Sequence, residues 1–213
     1  MIKKNVEYWE KFYQDLKLDG VKMPPSQFAA FCKSEFLHLG LEFVVEIAAG
    51  DGRDSIFFSQ QGLNVVATDK SSNAVSLLKD KASNLDLLNV EQVDAVNGII
   101  PRPCSDNLPC AYVARFFIHT LTDEDLNFFF ANLSRVLKMG DYFFAEYRNI
   151  NDKDLVKVTP NHFRNFFTSS YVNSVAQENG ITSIYEVEGK GFAKWGLDDA
   201  EVTRQIFIKK DYK

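Results

Sequence analysis

The sequence predicts a doubly wound, three-layer α/β fold whose mostly parallel, seven-stranded sheet closes on a C-terminal antiparallel hairpin. Three observations predict it. From Phe43 onward, short apolar runs alternate with segments of helical periodicity, the pattern of successive βαβ units. A turn of small residues, Ala48-Ala49-Gly50-Asp51-Gly52, joins the first run to the first of those helices. The last two runs, 181–187 and 202–209, are apolar and β-branched with no helical pattern between them, as a hairpin requires. With 213 residues and 46% apolar side chains, the chain can bury one sizeable core. It reads as one domain over 1–213, with a helical segment at 1–40 and the sheet core at 41–213.

In order, residues 5–18 carry Val6, Trp9, Phe12, Tyr13 and Leu16 at helical spacing, and Asp19-Gly20 breaks the pattern. Such a stripe either packs on the sheet edge or lays Tyr8, Trp9 or Tyr13 over a ligand. Pro24-Pro25 is a stiff entry to a helix capped by Ser26 and ending near Gly40. Strand 43–46, the glycine turn, helix 53–61 and strand 65–69 form the first βαβ unit. Ser71, Ser72 or Asn73 caps the next helix, and 88–93 is a third strand ending at Asp94. Residues 96–109 are rich in Gly and Pro and irregular, so the third crossover helix is short or absent. The fourth strand is 110–117, followed by a Thr122/Asp125 capping pair and a helix with Leu126, Phe129, Phe130 and Leu133 on one face. Strand 142–147, a polar loop at 149–161 and a helix from Thr168 to Gln177 lead into the hairpin.

Ligands of such sheets sit at the carboxyl ends of the strands, where Gly50, Gly52 and Asp69 fall. The glycines allow a tight turn and close backbone approach. Asp69 follows Gly50 by 19 residues, the separation at which an acidic side chain meets a ribose diol. A dinucleotide needs a third small residue where Ser55 stands, and no acids beside its pyrophosphate. Here Glu46, Asp51 and Asp54 crowd the turn. Like unit charges 4 Å apart repel by roughly 4 kcal/mol at an effective dielectric near 20. The same acids suit a phosphate-free nucleoside with a cationic arm, which is the character of S-adenosylmethionine. Arg115, inside the fourth strand, either salt-bridges across the sheet or meets an acceptor. His119, just beyond it, is either held by a loop carbonyl or is a general base, with His162 the second choice for that role. Arg148 either clamps an anion or pairs with Glu146. His162 and Arg164, among phenylalanines, suggest a pocket for an anionic acceptor.

The segment EIAAGDG resembles the glycine-rich motif of class I S-adenosylmethionine-dependent methyltransferases, with Ala48 in place of the first glycine, and ATDKS resembles their ribose motif. PPSQFAAF, GDGRDSIFF, ARFFIHTLT, AEYR, HFRNFF and GKGFA together resemble a small bacterial subgroup that often accompanies cell-surface polysaccharide genes. The resemblance implies the Rossmann-like methyltransferase fold, with residues 1–40 as a helical cover. It implies S-adenosylmethionine held by Glu46, Ala48, Gly50, Asp51, Gly52, Arg53 and Asp54, by Asp69, Lys70 and Ser71, and by Arg115. Asp94-Ala95 would then meet the adenine. Catalysis would fall to His119 and Arg115, and acceptor contacts to Tyr8, Trp9, Tyr13, Ser26, Gln27, Arg148, His162 and Arg164. The acceptor implied is small and anionic, such as a phosphorylated or nucleotide-linked surface-glycan precursor, methylated at oxygen. The rival readings are an NAD(P)-linked oxidoreductase and a non-catalytic S-adenosylmethionine-binding protein.

A net charge of −5 and a pI near 5.3, with no basic stripe, argue against nucleic acid or anionic membrane as partner. Three cysteines without metal or secretory spacing, no signal-like leader and no long apolar run point to a cytoplasmic protein that uses no metal. Acceptor identity, methylated atom and oligomeric state are not legible.

Overall fold

The computed structural model describes residues 2–16, 24–105, 107–157, 159 and 162–209. The expected break at Asp19-Gly20 lies outside them. Five parallel strands, β1 (Phe43–Ile47), β2 (Asn64–Asp69), β3 (Leu88–Gln92), β4 (Cys110–Arg115) and β5 (Tyr142–Arg148), precede β6 (Ile181–Gly189) and β9 (Val202–Lys209). Between β6 and β9 lies a two-stranded flap, β7 (Lys194–Trp195) and β8 (Asp198–Asp199). The seven-stranded sheet runs β3-β2-β1-β4-β5-β9-β6, and only the β9 pairings are antiparallel. Chain order reverses between β1 and β4, so the crevice at their carboxyl ends is the topological switch point.

The helices are α1 (Ile2–Asp15), α2 (Gln27–Leu39), α3 (Arg53–Gln60), α4 (Ser72–Ala82), α5 (Asp123–Val136) and α6 (Ser169–Glu178). Local chemistry starts four of them. The Ser26, Ser71 and Thr168 side chains accept from backbone amides of the first turn of α2, α4 and α6, and Thr122 with Asp125 forms a full capping box on α5. Strand alternation sends Val45, Ile47, Tyr112 and Phe143 to a core with α5 and α6, and Val44, Val113 and Phe144 to a core with Phe36 of α2, Phe58 of α3 and Leu78 of α4. Both faces are thus buried, which is why these strands read as continuous apolar runs.

The loop at 96–109, expected to carry a short helix or none, forms no helix among its described residues and is tied down by Asn132, whose amide donates to the Ala95 and Gly98 carbonyls at 2.9 and 2.7 Å. Two expectations are corrected. The fourth strand ends at Arg115, not Phe117, because Phe116 turns to φ 57°. The final hairpin is interrupted by the flap.

Candidate active site

At the carboxyl ends of β1, β2 and β4 opens a cavity of about 1190 Å3. Its first wall is the glycine turn. Ala48, Gly50 and Gly52 have φ of 56°, 58° and 77°, a left-handed region that an alanine enters only with strain of about 1–2 kcal/mol. The Asp69 carboxylate pins the turn: Oδ2 accepts from the Gly50 amide at 2.9 Å and Oδ1 from the Ser71 amide at 2.8 Å. Glu46 is buried and accepts from the Ser55 hydroxyl. Burial, with the charge of Asp54 second, pushes its carboxyl up to about 8. The nearby cations are already paired, Lys81 with Asp51 at 2.9 Å and Arg53 with Asp54 at 3.5 Å. Asp69 is thus the carboxylate at this turn that no cation pairs among the described residues.

Helix α1 roofs that turn. The Tyr13 hydroxyl lies so close to Gly50 that a β-carbon there would come within 2.5 Å of it. Burial, then the charges of Asp69, Asp51 and Glu46, drives the Tyr13 phenol well above its ordinary pKa. The roof is fastened by Glu10, whose carboxylate accepts from the Ser72 and Asn73 amides at 2.8 and 3.1 Å and from the Ser71 hydroxyl at 2.9 Å. These are the unpaired amides of the first turn of α4.

The ends of β4 and β5 and the segment after them bring basic residues to the same cavity. Arg115, Arg148, Arg164, His119 and His162 all line it. Glu146 is fully buried between Arg115 (3.0 Å) and Arg204 (2.6 Å). Arg148 is taken by Asp152 at 2.8 Å and by Asp198. Among the described residues, no carboxylate pairs with Arg164. Its Nη2 donates to the Thr159 carbonyl and hydroxyl at 2.5 and 2.8 Å, and its Nε is buried with no partner. The Phe116 ring, set by its left-handed backbone, lies under the Arg115 and Arg148 guanidiniums at 4.2 and 5.3 Å.

Most of the expected site residues share this cavity: Glu46, Ala48, Asp51 and Asp69; Lys70, Ser71, Asp94 and Ala95; Trp9 and Tyr13; and the basic set. Several do other work than expected. Gly52 does not line the cavity; a β-carbon there would lie 1.9 Å from Leu78, so its smallness serves the packing of α4. Asp54 lines it, but its carboxylate is held by the Ser26 amide and hydroxyl at 2.7 and 2.5 Å. That contact also removes Ser26 from the acceptor. Gln27 spends its amide on the flap, donating to the Gly191 carbonyl at 3.0 Å and accepting from the Lys194 amide at 3.1 Å. Arg53 stacks on Trp195 of that flap at 4.9 Å. Tyr8 stays outside the cavity and backs His162, ring to ring at 5.1 Å. Arg148 is no free clamp, and its partners are Asp152 and Asp198 instead of Glu146. Asp94 already meets donors from Lys70 (2.7 Å), Val96 (3.0 Å) and Asn97 (3.3 and 3.4 Å), which fill its acceptor positions. An adenine amine would have to displace Lys70.

His119 is not placed as a base. It is buried, and its Nδ1 accepts from the Arg148 amide at 3.3 Å, so the neutral ring carries its proton on Nε2. Burial, with Arg148 next, holds its pKa well below 6.5. Sequence reasoning missed Glu10 and Phe116. The flap lies in the connection whose Lys190, Phe192, Lys194 and Trp195 either reach the site or cover the sheet edge, and Trp195 lines the cavity.

Residues 44–140 match the profile of a family described as "Methyltransferase domain". No curated protein matches in sequence. Solved structures do match in fold. An S-adenosylmethionine-dependent methyltransferase from Anabaena variabilis superposes with a TM-score of 0.72 at 13% identity, over 96% of this chain and 95% of that one. Another, from Clostridium acetobutylicum, gives 0.69 at 12% identity, over 98% and 99%. A glycopeptide N-methyltransferase, MtfA, complexed with S-adenosyl-L-homocysteine gives 0.67 at 13% identity, over 91% and 90%. The sheet and its order are thus those of a Rossmann-like methyltransferase fold.

Proposed function

We propose that this protein, whose residues 44–140 match a methyltransferase domain, is an S-adenosylmethionine-dependent methyltransferase acting on a hydroxyl of a small anionic acceptor. S-Adenosylmethionine supplies an electrophilic methyl group on a sulfonium. The residues present fit it. Asp69, with the Lys81-paired Asp51 and the proton-holding carboxyl of Glu46, lies beside a turn that a ligand can approach closely, and among the described residues the cations there, Arg53, Lys70 and Lys81, are all paired to carboxylates and not free for a diphosphate. That last point disfavours an NAD(P)-linked oxidoreductase.

One observation carries the acceptor reading: the Arg164 guanidinium lines the cavity with Arg115 and Arg148, and among the described residues its buried Nε has no hydrogen-bond partner. A buried donor left unmade costs about 1–3 kcal/mol, which an acceptor's carboxylate or phosphate would recover. A hydroxylated carboxylate, or a phosphorylated or nucleotide-linked sugar, meets this chemistry. The aromatic walls, Trp9, Phe12, Phe116, Phe117 and Phe163, exclude water from the line of displacement. Calorimetry with S-adenosylhomocysteine tests the reading. The protein should bind it, and Asp69→Ala should weaken binding by about 1.5–3 kcal/mol. Binding of a nicotinamide dinucleotide in its place would overturn the proposal.

A further inference from the structure

The geometry points to His162, not His119, as the proton acceptor of the reaction, with His119 serving as a hydrogen-bond donor that orients the acceptor. This inference rests on the methyl-transfer reading above. Two hydrogen bonds decide it. The His162 Nδ1 lies 2.9 Å from the Phe163 carbonyl, which can only accept, so the neutral ring holds its proton on Nδ1 and keeps a lone pair on Nε2. His119 has the reverse arrangement, because the Arg148 amide can only donate to its Nδ1. Both rings line the cavity, so it meets one imidazole that donates and one that accepts.

The surroundings keep His162 unprotonated before reaction. Its ring is packed against Trp9 and Tyr8 of α1 at 4.8 and 5.1 Å, and Arg164 and Arg148 face it. Burial, followed by the Arg164 charge, lowers its pKa to about 4. His162 and Arg164 also line a neighbouring cavity of about 340 Å3. In the step, the acceptor hydroxyl gives its proton to His162 Nε2 while the oxygen's electron pair forms the bond to the methyl carbon. The sulfur leaves with the pair of the broken bond, and the imidazolium then releases its proton to water.

Long-range proton–nitrogen correlation spectra of the ligand-free, histidine-labelled full chain read both tautomers. His119→Gln and His162→Gln assign the signals. His162 should show a protonated Nδ1 and a bare Nε2, and His119 the opposite. A bare Nδ1 at His162 would overturn the assignment. Calorimetry with S-adenosylhomocysteine on the same sample keeps the readings separable: loss of binding sinks the methyltransferase reading, and reversed tautomers sink only this one. With any hydroxylated carboxylate or sugar phosphate that accepts radiolabelled methyl, His162→Gln should lower turnover about 10²- to 10⁴-fold while cofactor affinity holds. Undiminished turnover would refute the role.

Discussion

At the scale of single residues, the site is marked by strain and by displaced proton affinities. Ala48 and Phe116 are the non-glycine residues with positive φ among those described, and both stand at ends of adjacent strands facing the cavity. Strained backbone collects where function over-determines it. Ala48 was legible from its motif; nothing in ARFFIHT announces the turn at Phe116, which depends on its amide reaching the Glu146 carbonyl at 2.7 Å. Glu46 yields a pH prediction. Its folded-state pKa of about 8 stands above the ordinary 4.5, so over that interval the folded chain keeps a proton that the unfolded chain has lost. The stability it contributes is complete below about 4.5 and disappears as pH climbs through 8. His119 and His162 oppose this. Their pKa values are lowered from 6.5, so their contribution is lost on acidification below that value. From pH 6.5 to 8 the carboxyl acts without that opposition. Chemical denaturation should show stability falling over that window, at no more than about 1.4 kcal/mol per pH unit. Glu46→Gln keeps an acceptor for Ser55 and should flatten the slope; a slope that survives the substitution would assign it elsewhere.

At the scale of elements, what the sequence disclosed was what is decided locally. The caps at Ser26, Ser71 and Thr122 act within three residues of themselves; Ser26 and Thr122 were readable in place, and the α4 cap was narrowed to Ser71, Ser72 or Asn73. The docking of α1 was not, because Glu10 meets partners 61 to 63 residues away. Periodicity shows that a helix has an apolar face, not what that face lies on. Here it lies over the glycine turn, and the attachment is a carboxylate at the positive end of α4. Burial tends to raise the Glu10 pKa, but the Ser72 and Asn73 amides outweigh it and leave the group below its ordinary value. Glu10→Ala should cost this attachment about 0.5–2 kcal/mol, the scale of a lost helix cap. Hydrogen exchange would then quicken across α1 by several-fold and leave β1 and β4 unchanged. Unchanged exchange in α1 would mean that its aromatic face alone holds it.

At the scale of the whole molecule, one cavity is closed by two covers that hang on different parts of the chain. α1 fastens to α4 and lies over the glycine turn. The flap of β7 and β8 fastens to Gln27 and lies beside Arg53 and Arg148, through Trp195 and Asp198. Among the described residues, neither cover sends an apolar side chain into the two main cores, and the flap packs in its own small cluster with Phe116 and Phe192. Independent covers over one site make a sharper claim than either alone. Release of S-adenosylhomocysteine should need α1 to lift, because Tyr13 roofs the turn proposed to hold it. Stopped-flow displacement should therefore show faster release in Glu10→Ala and an unchanged rate in Gln27→Ala. The Gln27 variant should instead expose residues 190–197 to limited proteolysis, since two hydrogen bonds that hold the flap are gone. Distant, unshared contacts add, within about 0.3–0.5 kcal/mol. The double variant should thus release ligand as fast as Glu10→Ala and be cut as fast as Gln27→Ala. A double variant that does either much faster would show that the covers brace each other across the cavity, and that the two ends of the site open as one.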